Sequence, residues 1–190
     1  MDNGLIESLL YFLLGGCVLL AWFGEYRRRR TLGGGEGFWP GTVPAPGAAY
    51  WAGAAGALLI TLAETAVESR YHLTQHQTVL PTFSILALIG ASTVEETVFR
   101  GFAAPGRLSG KALLGVIVAG SAGFALIHGF DLTSTHGRIS AAFAFATSVW
   151  LYLIRFSPLN PGRSLLPCFA THAVRNLAVF GIKWAEGFVN

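Results

Sequence analysis

The chain has 190 residues, 53% of them hydrophobic and 12% charged, with a formal net charge of +3. Soluble domains carry about 25% charged residues, and a globule of this size has no room to enclose so many apolar side chains. The composition therefore excludes an ordinary soluble domain and selects a bilayer as solvent; so small a charge also gives no nucleic-acid surface.

Six apolar runs follow in chain order: Leu5 to Phe23, Gly47 to Ala66, Leu80 to Ala104, Lys111 to Phe130, Ile139 to Phe156, and Ser164 to Lys183. Each is close to the roughly 20 residues that cross the hydrocarbon core as helix. The expected fold class is all-α: a polytopic membrane protein, a bundle of about six transmembrane helices, forming a single integral-membrane domain over residues 1–190. The start, "MDNGLIES", has no basic region, so the first run reads as a retained helix rather than a cleaved signal. Turn-rich breaks separate the runs. "RRRRTLGGGEGFWPGTVPAPG" contains a short glycine linker; "PGRLSG", "DLTSTHGR" and "SPLNPGR" follow later. Trp22, Trp39, Trp51 and Trp184 lie near run ends and suit interface anchors.

Basic residues set the orientation. Arg27 to Arg30 follow the first run, Arg107 and Lys111 the third, and Arg155 and Arg163 the fifth. The opposite side holds Arg70, Arg138 and Lys183. The positive-inside rule places the first group in the cytoplasm and both termini outside it. The Ala, Gly and Arg bias points to a prokaryotic source and its inner membrane.

Charges inside the apolar runs carry the functional signal. An acid or base at a helix centre costs about 2.5 to 3.5 kcal/mol on an insertion scale, and such residues mark function or pair with one another. "VEETVFRG" holds Glu95, Glu96 and Arg100. Glu96 and Arg100 are four apart, the spacing of an ion pair on one helical face. Glu95 is rotated from Glu96 by about 100° and is left free to look elsewhere. His128 ends the fourth run, one turn after Phe124, and His172 and Asn176 stand four apart in the sixth. A carboxylate, two imidazoles and an amide are the inventory for attacking a peptide bond with water. The plain alternatives are a solvated helix end for the charges and hydrogen-bonded packing for each histidine.

Glu-Glu-x-x-x-Arg, Phe-x-x-x-His and His-x-x-x-Asn, in this order and each within an apolar run, resemble the CAAX protease and bacteriocin-processing family. These are glutamic intramembrane endopeptidases, also called the Abi family. The resemblance covers about residues 91–176; the first eighty or so match nothing known, and the chain has fewer spans than the eukaryotic CAAX enzyme. The resemblance implies Glu95 as general base, with His128 holding the attacking water. It implies His172 and Asn176 as donors to the oxyanion, Glu96 and Arg100 as an ion pair orienting Glu95, and Phe124 as packing. It implies no metal and no cofactor. It implies a membrane-associated protein or peptide as substrate: a prenylated tail, a bacteriocin leader or a C-terminal anchor.

Two other functions fit the residues. Glu95, His128 and His172 could form a zinc site with an open position, although His-Glu-x-x-His is absent. A non-catalytic scaffold, channel or transport subunit could also hold a buried polar network. Cys17 and Cys168 read as buried small hydrophobes; Cys168, four before His172, also has the spacing of a thiolate–imidazole dyad. Glu64 sits in the second run without a nearby base in sequence. His72 and His76 read as exposed loop residues, and Asp131 and His136 as helix-capping residues of an external loop. Straight antiparallel helices would leave Glu95 and His128 about 12 Å apart in depth. A shared water requires Glu95, His128, His172 and Asn176 to converge on one cavity, expected to open toward the cytoplasm.

Overall fold

The computed structural model describes residues 3–32 and 37–190. In chain order these form α1 (Asn3–Leu32), α2 (Gly47–Arg70), a 3-10 turn (Thr74–His76), α3 (Ser84–Glu95), a π segment (Glu96–Phe102), α4 (Gly110–Ile127), α5 (Thr135–Phe156) and α6 (Leu166–Ala185). Every expected run is a helix, and the protein is an all-α polytopic membrane protein. The glycine linker falls at residues 33–36, outside the described residues.

Four helices, α1, α2, α4 and α5, are long and apolar enough to cross a membrane. The other two, α3 with its π extension and α6, carry Glu95, Glu96, Arg100, His172, Arg175 and Asn176. α3 is only 12 residues long before the π segment begins. Local signals set the ends: Ser134 caps α5 by accepting from Gly137 N at 2.9 Å, and Pro167 occupies the first turn of α6.

The connections fall into two groups at opposite ends. At one end, Leu165 N donates to Gly41 O and Ser164 Oγ to Val43 O. Arg163 donates to the carbonyls of Gly106 and Leu108. The buried Arg155 donates to Ala104 O at 2.7 Å and to Gly101 O at 3.4 Å. At the other end, the chain terminus lies beside the loop before α3, joined by Leu80 N to Phe188 O and Asn190 N to Leu80 O. Lys183 Nζ donates there to Thr78 O.

α1 and α3 touch at Gly15 and Gly90, where a Cβ on either would overlap the other helix's backbone. Small residues give membrane helices this close approach. Trp22 differs from the interface role expected of it. It is 0% exposed, packs with Leu165 and Phe169, and donates to Pro40 O at 2.9 Å. Its polar N–H is satisfied internally, so it packs like a core residue. Trp51 and Trp184 are exposed, as anchors are.

Candidate active site

The sequence motif coincides with the change of helix type. α3 passes at Glu96 into the π segment, and Ala103 N donates five residues back to Val98 O at 2.9 Å. Such segments re-aim side chains and are frequent at functional sites. Arg100 is fully buried. Its Nη1 donates to Glu96 Oε1 at 3.0 Å, and its Nη2 to Ser148 Oγ at 2.5 Å. Its guanidinium lies 4.6 Å from the Phe124 ring centroid and 4.9 Å from that of Tyr152. The charge is thus matched by one carboxylate and two aromatic faces, which is how a buried cation is tolerated.

His172 joins this pair to Glu95. Its Nδ1 lies 2.8 Å from Glu96 Oε1, and its Nε2 lies 3.8 Å from Glu95 Oε2. A carboxylate only accepts, so the hydrogen-bond network assigns a proton to Nδ1. Adjacent glutamates on a regular helix point about 100° apart. One imidazole reaches both because its two nitrogens face different ways and because the helix changes type between them. The Glu96–Arg100 pair therefore holds His172 directly; the arrangement read from sequence had it orienting Glu95. Glu96 is fully buried, whereas the Glu95 side chain is 24% exposed.

His128 stands at the end of α4, where its Nδ1 donates to Phe124 O at 2.7 Å. That leaves Nε2 as an acceptor. The Phe124 ring sits between the histidines, 4.6 Å from His128 and 5.9 Å from His172 by centroids. Among the described residues, Glu95 makes no hydrogen bond or ion pair with His128. Asn176, one turn beyond His172 on α6, donates to Leu88 O at 3.0 Å, which leaves its second N–H and its carbonyl oxygen.

Two connected cavities lie here. An inner pocket of about 70 Å³ is lined by Phe124, His128, His172 and Asn176, with Glu64 and Arg175 at its side; Glu95, expected on the same cavity, is not among its walls. The pocket has ample room for a water, which needs about 10–15 Å³. A larger vestibule of about 470 Å³ shares His128, Glu64 and Arg175 with it and is walled further by Glu68, Gln77 and Lys183. The vestibule lies at the end of the bundle that carries the chain terminus and the loop before α3. The expected opening was at the opposite end, on the side of Arg27 to Arg30. That end is instead filled by Arg155, Leu165 and Tyr152, all nearly or fully buried.

Residues 77–178 match the family described as type II CAAX prenyl endopeptidase Rce1-like. The chain belongs to this family. No curated protein and no solved structure matches it. Membership makes the chain a membrane endopeptidase, a hydrolase of peptide bonds. The matched segment contains α3 to the middle of α6, and hence Glu95, Glu96, Arg100, Phe124, His128, His172 and Asn176.

Residues outside the three motifs take the following places. Glu64 is not alone: Arg175 Nη2 donates to its Oε2 at 2.6 Å. Sequence reading passed over Arg175, although it stands inside "HAVRN" between two motif residues, because its partner is 111 positions away. Ser148 and Tyr152, which brace Arg100 from α5, carry no sequence signal of their own. Cys168 does not form the dyad its spacing suggested. It is fully buried, packs with Leu151 and Ile154, and donates to Leu151 O at 3.5 Å. Among the described residues, no three His, Cys, Asp or Glu side chains are grouped as a metal ion would need. Asp131 accepts from Thr133 N and Oγ1 in a local turn, while Ser134 is the cap of α5. His136 lies 3.5 Å from Glu68 across the vestibule. His72 is exposed with a φ of 56°, and the side chain of His76 lies outside the described residues.

Proposed function

We propose that the chain is a glutamic-type intramembrane endopeptidase in which Glu95 activates water. The observation that carries this reading is the bridging of Glu95 and Glu96 by His172, at 3.8 and 2.8 Å. One carboxylate is buried and neutralised by Arg100; its neighbour is partly exposed and only loosely approached. A general base needs an accepting carboxylate with access to water, and Glu95 fits that description.

In this mechanism a water held between Glu95 and His128 loses a proton. His128 Nε2 orients it as an acceptor while Glu95 removes the proton, and the water oxygen forms a bond to the peptide carbonyl carbon. The carbonyl oxygen becomes an oxyanion, met by the second N–H of Asn176 and by His172. A donor role for His172 needs a proton on Nε2 as well, and the two flanking carboxylates supply its counter-charge. The C–N bond then breaks as Glu95 returns the proton to the leaving amine. Glu96 and Arg100 act through His172 and are positioning residues.

The substrate is a membrane-associated protein or peptide. Glu95→Gln tests the reading. It is nearly isosteric but takes up no proton, so the protein is expected to insert and fold normally and to lose cleavage. Substantial residual turnover overturns the role of Glu95.

A further inference from the structure

We propose that the reaction centre is reached from the non-cytoplasmic side of the membrane, so that the scissile segment of its substrate is a polar polypeptide stretch presented there. This rests on the reading of Glu95, His128, His172 and Asn176 as the reaction centre. Four observations carry the access route.

First, the two ends of the bundle are chemically distinct. Arg27 to Arg30, Arg107, Lys111 and Arg163 gather at the end where the first, third and fifth connections meet. At the other end, Arg70, Arg138 and Lys183 are accompanied by Glu68, Asp131 and Glu186. Lys and Arg excess in short loops is retained on the cytoplasmic side. Second, the basic end is packed with buried, hydrogen-bonded side chains. Arg155, 1% exposed, ties α5 to the carbonyls of Gly101, Ala104 and Arg163, and Leu165 is 0% exposed beneath it.

Third, the vestibule lies at the opposite end and shares Glu64, His128, Phe130, Ser140 and Arg175 with the inner pocket. It is walled by the last turns of α2, the loop before α3, the end of α4, the start of α5 and the last turns of α6. α4 is only 18 residues long, and its end at His128 leaves the space that the vestibule fills. Fourth, the walls carry charged groups. The passage between the cavities is flanked by the Glu64–Arg175 ion pair, and the outer wall holds Glu68, Gln77 and Lys183. Such charged groups hold water and hydrogen-bond a peptide backbone.

The test is cysteine accessibility, with three single substitutions compared against the parent. Thr78→Cys lines the vestibule, Ala144→Cys the inner pocket, and Arg107→Cys lies at the basic end. A small charged, membrane-impermeant thiol reagent is added to sealed cells and to permeabilised ones. Thr78→Cys and Ala144→Cys are expected to label equally in both, and Arg107→Cys only after permeabilisation. Labelling of Arg107→Cys in sealed cells overturns the orientation. Labelling of Ala144→Cys only after permeabilisation, or in neither state, overturns the route; Ser140→Cys, which lines both cavities, repeats the measurement if Ala144→Cys does not accumulate. The same pattern in a Glu95→Gln background separates access from catalysis. Comparing protein termini in cells carrying the parent or Glu95→Gln chain then reads the substrate. Termini lost with Glu95→Gln are expected in extracytoplasmic segments. Lost termini in cytoplasmic tails overturn the proposal, and no lost termini alongside the expected labelling overturns the catalytic reading alone.

Discussion

Two acid–base clusters share α6, and they differ in how they meet water. In one, Glu96 and Arg100 are both 0% exposed by side chain, and His172 closes the group at 2.8 Å. In the other, one turn farther along, Arg175 and Glu64 pair at 2.6 Å with 17% and 13% of their side chains exposed to the vestibule. The first cluster exchanges hydration for serine, tyrosine and phenylalanine partners; the second keeps part of its hydration. Glu95 belongs to neither pair; its side chain is 24% exposed and lies 3.8 Å from His172. Burial and pairing thus set three carboxylates of one small protein apart, and the proposed mechanism gives them a positioning role, a reactive role and a wall.

The sharpest test of that sorting is on Glu95. General acid–base groups contribute about 10²–10⁴ in rate, and Glu95→Gln is expected to lose activity on that order with no change in thermal midpoint. A similar loss from Glu64→Gln, measured on the same substrate, would erase the distinction between the two carboxylates. Arg100→Ala comes next. Removing one member of a buried pair costs about 3–5 kcal/mol because the other charge is left unmatched. Folded protein in detergent is expected to fall along with activity, and a fully stable, active Arg100→Ala protein would show that the first cluster is not structural. Asn176→Ala removes one proposed donor to the oxyanion, which elsewhere costs about 2.7–4 kcal/mol of barrier. Its effect should appear in kcat with little change in KM; a change confined to KM would make the Leu88 contact its main role. The smallest effect is expected at the half-open pair. Glu64→Gln should cost about 1 kcal/mol or less in stability, since water in the vestibule can solvate Arg175. A loss as large as that of Arg100→Ala, read from thermal midpoints, would mean the two clusters are energetically alike.

Much of this arrangement is legible in the chain itself. The six runs are helices because apolar stretches of this length satisfy their backbone hydrogen bonds internally in lipid. The i to i+4 spacing of Glu96 and Arg100 announces their contact because that contact is local. Trp22 shows the limit: near a run end it reads as an anchor, but Pro40 and Phe169 reach it from distant segments and bury it. Cys168 shows the same limit in reverse, since helical spacing from His172 says nothing of α5, which takes its thiol.

What the sequence by itself determined is the solvent, the helices, the motif residues and the distribution of basic residues between the two ends; all follow from composition and short-range spacing. The tertiary structure alone decided which partner each charge takes and where the cavity opens. His172 meets Glu96 across 76 positions, and Arg175 meets Glu64 across 111. The short α4 leaves its gap on the side away from Arg27 to Arg30. These outcomes depend on how helices are rotated and staggered against one another. In lipid, that is settled by close approach of small residues and by polar groups finding partners across helices, information held jointly by segments far apart in the chain.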